Sequence, residues 1–305
     1  MKRKSTIEPF SADRLLSDLE HISNSIKAPY SPQAVQEALR VFGENLSNGA
    51  IAIRTTNRAG DPLNFWAGEY NRADTISRAV NAGIVSFTHP TVLLLRSWFS
   101  MYDNEPEPST DFDTVYGLAK TWIYFMRLRP VEEVLSAEHV PQSFRDHIDT
   151  FKSIGARLVY HVAVNYRSNS VNVYLQIPSE FNPKQATKVV TTLLPDCVPP
   201  TAIEMEQMVK CMKPDMPIVF AVTLAYPSGT IERICFYAFM VPKELALSMG
   251  IGERLETFLR ETPCYDEREV INFGWSFGRT GDRYLKIDTG YCGGFCDILG
   301  KLKHN

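Results

Sequence analysis

Isolated cations stand in several short segments that alternate between apolar and polar residues. Arg54, Arg233 and Lys286 each occupy such a segment, and Val171–Ile177 shows the alternation without a break. This pattern is typical of a strand with one dry face and one polar face. A cation that points into an enclosed space must be neutralised there. We therefore expect several strands to form a cationic pocket for a strongly anionic ligand.

The strand parity also predicts which other side chains share that enclosed space. Met240 and the apolar alternates of its strand should face covering helices instead. A single strand Arg is more often a surface residue, and strand Tyr and Trp often reflect β-propensity alone. Cations and aromatic rings on the same face of several strands nevertheless favour a binding pocket. The side chains expected inside are Arg54, Asn64, Trp66, Tyr70, Trp122, Tyr124, Asn172, Tyr174, Gln176, Arg233, Cys235, Tyr237, Phe239, Tyr284, Lys286 and Asp288.

Composition narrows the class of protein. The formal net charge of -3 argues against a nucleic-acid partner, which usually requires a basic face. No segment resembles a signal peptide or approaches the roughly 20 apolar residues that span a bilayer. The 6 cysteines suit reduced thiols, and Cys292 and Cys296 have no His nearby to complete a metal site. We expect a cytoplasmic protein with no membrane partner and no metal.

Helical segments followed by a pair of strands recur along the chain. Turn residues lie near positions 59, 117, 168, 228 and 280, at intervals of roughly 50 to 60 residues that are typical of a structural repeat. The second hairpin is predicted at Thr114–Leu118 and Ala119–Arg127, after a loop over Asp103–Asp113, and a helix is predicted over Pro141–Ile154. Ten antiparallel strands tend to close because closure removes sheet edges.

The expected fold is therefore α+β. It is a ten-stranded antiparallel β-barrel surrounded by α-helices, built from five ααββ repeats in a single domain over residues 1–305. A barrel of this size encloses more room than eight strands do, so a ligand cavity is expected. We expect a monomer, since a closed barrel has no free edge to pair.

Several strand segments resemble a known family. They are chiefly Asn165–Leu175, Ile231–Phe236 and Tyr284–Ile287, with shorter matches at Leu63–Phe65 and Lys120–Trp122. In their order and repeat phase they resemble the soluble ABBA-type aromatic prenyltransferases, including the fungal members of that family. The resemblance extends from about Gly49 to the C-terminus.

The resemblance implies a fold, a reaction and a set of binding residues. The fold is a ten-stranded barrel ringed by helices, and the reaction transfers a prenyl group, often dimethylallyl, from a diphosphate to an electron-rich aromatic ring. Asn64 stands where a magnesium-using member has Asp, which implies that magnesium is not required here. Ala221 replaces a diphosphate-contacting Tyr, so that this contact is either missing or supplied by Tyr226 or Thr223. The residues in diphosphate-binding positions are Arg54, Lys120, Arg167, Asn172, Arg233 and Lys286, with Ser168 as an alternative to Arg167.

The chemistry of such a reaction explains these residue types. Ionisation of an allylic diphosphate leaves a trianion for cations to bind and a carbocation for aromatic faces to stabilise. Asp288 is expected to be the catalytic base that accepts the acceptor's proton, although it could instead only pair with Lys286. The candidate aromatic shield comprises Trp66, Trp122, Tyr160, Tyr174, Tyr237 and Tyr284.

We expect metal-independent transfer of dimethylallyl from dimethylallyl diphosphate to a phenolic or hydroxynaphthalene-like acceptor. Two alternatives remain open. One is an indole prenyltransferase with the same barrel, and the other is a non-catalytic binder of an anionic small molecule. The sequence does not determine the acceptor, the ring position attacked or the length of the prenyl chain.

Overall fold

The computed structural model describes residues 10–69, 73–102, 107–178, 180–213 and 216–301, so that Tyr70, which was expected inside the barrel, lies outside the described residues. Its strands are β1 (Gly49–Thr56), β2 (Asn64–Glu69), β3 (Glu107–Asp113), β4 (Gly117–Pro130), β5 (Leu158–Asn165), β6 (Ser170–Ile177), β7 (Ile218–Ala225), β8 (Ile231–Val241), β9 (Ile271–Gly278) and β10 (Arg283–Cys292). Its helices are α1 (Ala12–Ser25), α2 (Pro32–Ser47), α3 (Thr75–Asn81), α4 (Pro90–Ser100), α5 (Val131–Leu135), α6 (Gln142–Arg145), α7 (Ile148–Ser153), α8 (Pro183–Leu193), α9 (Ala202–Cys211), α10 (Lys243–Ser248), α11 (Glu253–Glu261) and α12 (Phe295–Lys301).

The ten strands form one closed barrel in the order β1-β10-β9-β8-β7-β6-β5-β4-β3-β2. Every neighbouring pair is antiparallel. The barrel is closed because β1 pairs with β2 on one side and with β10 on the other. Helices precede each hairpin, two in most repeats and three (α5 to α7) before β5. The predicted helix-ringed barrel is therefore confirmed.

Two apolar layers lie on the two faces of the barrel wall. The outer layer packs strand residues such as Phe65 and Phe112 against helix residues such as Phe42, with ring centroids of Phe65 and Phe112 4.9 Å apart. Full burial of one such side chain contributes roughly 1.5–3 kcal/mol. Because a one-residue slip would turn every outer side chain into the lumen, this layer fixes the register that positions the site.

Side-chain caps at several helix starts explain where the connecting segments end. Ser31 accepts a hydrogen bond from the amide of Ala34, directly before Pro32 opens α2. Thr201 and Glu204 form a reciprocal capping box at the start of α9. These contacts satisfy backbone donors that the first helical turn leaves free.

The second hairpin was predicted at the wrong residues. Its strands are β3, within the segment predicted as a loop, and β4, while Thr114–Tyr116 forms the turn. Proline and acidic residues are rare in strands, which is why the segment resembles a loop. Here the acids of β3 are tolerated because Asp111 pairs with Arg54 of β1 and Asp113 pairs with Arg167 of the turn between β5 and β6.

Two further predictions differ from the structure. The helix predicted over Pro141–Ile154 is divided into α6 and α7. Met240 was expected to face the helices, but an irregularity in β8 between Ala238 and Val241 turns it into the lumen beside Phe239. In the described part of the chain, no helix has the length and apolarity to cross a membrane.

Candidate active site

A cavity of about 410 Å³ opens at the hairpin-turn end of the barrel, and we call it the cationic cavity. Four of the predicted diphosphate-binding residues line it, although they are far apart in the chain. Arg54 comes from β1, Lys120 from β4, Lys286 from β10 and Arg167 from the turn between β5 and β6. The barrel thus brings cations from four separate segments to one space.

Arg54 is held between two carboxylates at the bottom of the cationic cavity. Its Nη1 lies 2.7 Å from Asp111 Oδ2, and its Nε donates to Asp288. Burial opposes the charge on Arg54, but Asp288 and Asp111 outweigh it and raise the pKa of the guanidinium further. Arg54 is therefore permanently charged and fixed in orientation.

Asp111 is a functional candidate that sequence reasoning missed, because its strand was predicted as a loop. Its carboxylate is fully buried, and Lys120 Nζ lies 3.9 Å from its Oδ2. Its other oxygen has no hydrogen-bond partner among the described residues. Asp111 therefore connects the two cations Arg54 and Lys120.

The protonation state of Lys120 depends on its surroundings. Burial lowers its pKa to about 8, and the positive charges of Arg54 and Lys286 act in the same direction, while Asp111 opposes them. A phosphate anion bound beside it would favour the charged form. Lys120 is thus a group whose charge depends on ligand and on pH.

Lys286 reaches into the lumen across a glycine. A Cβ on Gly274 would lie 2.6 Å from Lys286 Cε and 3.0 Å from Cys235 Sγ, so the missing side chain provides the space for the lysine stem. The ammonium group donates to the Tyr237 hydroxyl, and it lies 4.4 Å from the centroid of that ring. Since this partner is neutral, the charge of Lys286 remains available to an anion.

Arg167 and the two remaining predicted diphosphate-binding residues, Arg233 and Asn172, are held by other contacts. Arg167 lines the cationic cavity but is half exposed, and it pairs with Asp113 at 3.3 Å. Arg233 pairs with Asp282 and stacks on Tyr284, with its Cζ 4.7 Å from the ring centroid. Asn172 is half-buried on β6 opposite Thr223. Neither Arg233 nor Asn172 is among the described residues that line the cationic cavity.

A second, apolar space lies deeper in the lumen, and we call it the aromatic chamber. It has a volume of about 60 Å³ and shares Arg54 with the cationic cavity. Asp288 also lines it. Four predicted shield residues line it together, namely Trp66, Trp122, Tyr174 and Tyr237.

The rings of the aromatic chamber contact one another directly. Trp122 lies 5.0 Å from Tyr174, and Tyr174 lies 5.7 Å from Tyr237, centroid to centroid. Trp66 is fixed by a 3.0 Å hydrogen bond from its Nε1 to Ser109. Such ring faces can stabilise a cation released at the cationic cavity.

The remaining two predicted shield residues lie outside the aromatic chamber. Tyr160 lines a smaller neighbouring cavity of about 30 Å³ together with Met240. Tyr284 lines the cationic cavity, where Arg58 and Arg233 cover its ring at 4.4 Å and 4.7 Å from the centroid. In this position Tyr284 supports guanidinium groups.

A histidine in the aromatic chamber was not anticipated. The β5–β6 register shifts between Val159 and His161, so that both Tyr160 and His161 face the lumen. Simple strand parity would assign them to opposite faces. His161 is buried, and desolvation lowers its pKa to about 3, so the imidazole is neutral.

Helix α12 closes the barrel end opposite the cationic cavity. Phe295, Ile298 and Leu299 line the aromatic chamber, and the Phe295 ring lies 5.6 Å from that of Trp66. The helix follows β10 after a turn at Gly293 and Gly294, both with positive φ. The lumen therefore opens at the cationic end and is bounded by apolar side chains at the other.

Comparisons with known proteins agree with this architecture. A family model described as aromatic prenyltransferase Orf2 matches residues 10–302. The chain belongs to this family of aromatic prenyltransferases and is an enzyme of that class. The resemblance noted in the sequence is thus confirmed.

Individual relatives include fungal and bacterial enzymes. An aromatic prenyltransferase of Sclerotinia sclerotiorum is 38% identical over 95% of this chain and 94% of its own length. The 4-hydroxyphenylpyruvate 3-dimethylallyltransferase of Streptomyces niveus is 35% identical over 96% of this chain and 88% of its own length. The structure is also similar to that of 5-dimethylallyltryptophan synthase from Streptomyces coelicolor, with a TM-score of 0.63 over 93% of this chain and 97% of that one. With 12% identity, that likeness concerns the fold.

Proposed function

We propose that this enzyme transfers a dimethylallyl group from dimethylallyl diphosphate to a phenolic or hydroxynaphthalene-like acceptor without a metal ion. The observation that carries the proposal is the junction at Arg54, where the cationic cavity meets the aromatic chamber. The diphosphate would bind on one side of this junction and the dimethylallyl group would lie on the other. The Streptomyces niveus relative, a dimethylallyltransferase of a phenol, supports this donor and this class of acceptor.

In the proposed mechanism, the allylic C–O bond breaks first, and its electron pair leaves with the diphosphate. Arg54, Lys120, Arg167 and Lys286 would bind the departing oxygens, with Arg233 and Asn172 as outer contacts. Charge-assisted hydrogen bonds of this kind contribute roughly 1.5–3 kcal/mol each. Because these charges are preorganised, they act on charge that develops in the transition state.

The allylic cation would then face the aromatic chamber. Ring faces stabilise such a cation by about 2 kcal/mol each when water is excluded. A carbon of the acceptor ring attacks the cation to form the new C–C bond, and the same carbon then loses its proton. Asp288 lines the chamber and is our candidate for the proton acceptor.

The same charges support the proposal that no metal ion is required. Asn64 is a weaker metal ligand than a carboxylate, and Asp61 and Asp113 at the cavity already contact Arg58 and Arg167. The lysines and arginines would neutralise the diphosphate in place of a divalent ion. We further propose a single-domain monomer, since the closed barrel has no free edge. All six cysteines are free thiols, which supports a cytoplasmic location.

The test is product formation by the purified protein. Dimethylallyl diphosphate is supplied with a dihydroxynaphthalene or, separately, with tryptophan, and products are identified by mass spectrometry. We expect a C-dimethylallylated naphthalene together with an equal amount of diphosphate. Products from tryptophan alone would favour an indole prenyltransferase, and tight donor binding with no product would favour a non-catalytic binder.

A further inference from the structure

His161 is a buried polar residue that the proposed mechanism does not use. Its side chain is 6% exposed, and its ring packs 3.9 Å from Tyr174 and 4.7 Å from Tyr124, centroid to centroid. It lines both the aromatic chamber and the smaller cavity beside it. An imidazole is more costly to bury than the aromatic rings around it, so its presence calls for a polar partner.

Two polar atoms of opposite character lack hydrogen-bond partners at this place. His161 Nδ1 and Trp122 Nε1 are both buried, and neither has a partner in the described part of the chain. The two rings lie 5.3 Å apart. Trp Nε1–H is a donor only, whereas a neutral imidazole offers one accepting nitrogen. With the imidazole proton on Nε2, Nδ1 accepts, and the pair then combines one donor and one acceptor in the lining of the chamber.

A neighbouring polar group, the indole N–H of Trp66, differs from these two atoms because it already has a hydrogen-bond partner. Trp66 Nε1 donates to Ser109 at 3.0 Å, so this second indole of the chamber has its hydrogen bond within the protein. Buried donors and acceptors are normally paired, and an unpaired one loses free energy relative to water. A ligand that forms hydrogen bonds with both His161 Nδ1 and Trp122 Nε1 would recover this free energy.

The charges of the aromatic chamber limit what that ligand can be. Among the described residues, the charged side chains that line it are Arg54 and Asp288, and they are paired with each other. A carboxylate on the ligand would be repelled by Asp288. Arg54 could not compensate, because it already pairs with Asp111 and Asp288. The chamber thus suits an uncharged group.

A hydroxyl group has the required chemistry, because its oxygen donates one hydrogen bond and accepts others. We propose that His161 and Trp122 together bind a ring hydroxyl of an uncharged hydroxyarene acceptor. The hydroxyl donates to the imidazole nitrogen and accepts from the indole N–H. This inference rests on the proposed function and names the acceptor group that the site recognises.

The size of the chamber also fixes the orientation of the acceptor. About 60 Å³ holds the hydroxyl-bearing edge of a ring rather than a complete bicyclic molecule. The rest of the acceptor must therefore extend toward Arg54, where the chamber meets the cationic cavity and where the dimethylallyl group would lie. His161 and Trp122 are in this sense specificity-determining residues that set which ring carbon meets the donor.

Binding of two matched ligands tests the proposal without a mutation. The affinities of 2-naphthol and 2-methoxynaphthalene are measured by calorimetry on the full chain saturated with dimethylallyl S-thiolodiphosphate, a slowly reacting donor analogue. The methyl ether cannot donate to the imidazole. We expect 2-naphthol to bind about tenfold more tightly. Equal affinities would overturn the proposal.

Variants assign the preference to His161. In His161→Phe the preference should fall to within about twofold, because the ring remains but the nitrogen is lost, and His161→Gln should restore part of it. Phe239→Leu is the matched control, since it alters an apolar residue of the same chamber and should weaken both ligands equally. A tenfold preference that persists in His161→Phe would contradict the proposal.

A failure of the hydroxyl-site proposal can be distinguished from a failure of the proposed transferase function. Wild-type protein that forms no dimethylallylated product from any acceptor would refute the transferase proposal, whatever the binding ratio. Wild-type protein that forms product but binds both naphthalenes equally would refute only the hydroxyl site.

Discussion

At the scale of single residues, the cationic cavity combines permanent and conditional charge. Arg54 is fixed by Asp111 and Asp288, and these carboxylates raise the pKa of the guanidinium. Lys120 lies nearby with a pKa lowered to about 8 by burial. An anion that binds here is therefore attracted by Arg54, which is charged at every pH, and by Lys120, which is charged mainly below pH 8.

The pKa of Lys120 predicts a pH dependence of donor binding. In the free enzyme the lysine loses its proton as pH rises through about 8, so the apparent Kd for dimethylallyl diphosphate should increase toward about tenfold at one pH unit above that value. Calorimetric titrations across this range measure it. Lys120→Arg keeps its charge at these pH values and should bind with little pH dependence. An unchanged slope in that variant would contradict the assignment.

Asp288→Asn tests the proton acceptor. We expect kcat to fall about 100-fold, since general-base catalysis contributes that much or more. Donor affinity should be retained or increased, because Arg54 keeps Asp111 as a partner. Single-turnover rates and donor Kd values measure the two effects. Asp111→Asn is the matched control, which also removes a carboxylate from Arg54 but lies outside the described chamber lining.

The opposite pattern would refute the role of Asp288. If Asp288→Asn keeps its kcat and only donor affinity changes, the carboxylate serves as an ion-pair partner alone. That partner is Arg54 in the structure, rather than Lys286 as the sequence suggested.

At the scale of secondary structure elements, α12 determines the depth of the lumen. Its Phe295, Ile298 and Leu299 close the aromatic chamber from the end opposite the donor site. The helix contacts β1 and β10, the strands that carry Arg54 and Lys286. The size of the acceptor should therefore depend on apolar side chains of α12.

Leu299→Ala should admit larger acceptors. Removal of this 8% exposed side chain enlarges the chamber, so kcat/KM for a tricyclic hydroxyarene should rise relative to a monocyclic phenol. The cavity should also cost about 2–5 kcal/mol of unfolding free energy. Competition between the two acceptors and chemical denaturation measure these changes. Ile203→Ala is the control, because that residue is 69% exposed on α9 and should alter neither. An unchanged acceptor ratio in Leu299→Ala would contradict the role of α12.

Periodicity explains which elements could be predicted from the sequence. β6 alternates strictly, and β8 alternates as far as Ala238, so their inward residues Asn172, Tyr174 and Tyr237 follow from parity. The strand β3 could not be recognised, because its buried acids Asp111 and Asp113 pair with cations that are distant in the sequence. Asp111 was missed for this reason.

Local irregularities limited the prediction of the site in the same way. The register shift before His161 and the one after Ala238 each turn an additional side chain inward. A bulge depends on how neighbouring strands pair, and this pairing is not encoded in the period of one segment. His161 and Met240 were therefore accessible only from the structure.

At the scale of the whole molecule, closure of the barrel creates the proposed chemistry. The ten strands bring Arg54, Lys120 and Lys286 into one cavity although more than half of the chain separates the first from the last. The same closure surrounds the aromatic chamber with side chains from the strands and from α12. Charge stabilisation and exclusion of water thus both depend on one architectural feature.

The central claim is that lysines and arginines replace a metal ion at the diphosphate. The most direct measurement is diphosphate release from dimethylallyl diphosphate and a dihydroxynaphthalene, in EDTA and then with added magnesium. We predict equal rates in both conditions for the wild type, and a loss of about 100-fold or more in Lys286→Met, because its charge acts on the leaving group. A wild-type rate that disappears in EDTA and returns with magnesium would contradict the account.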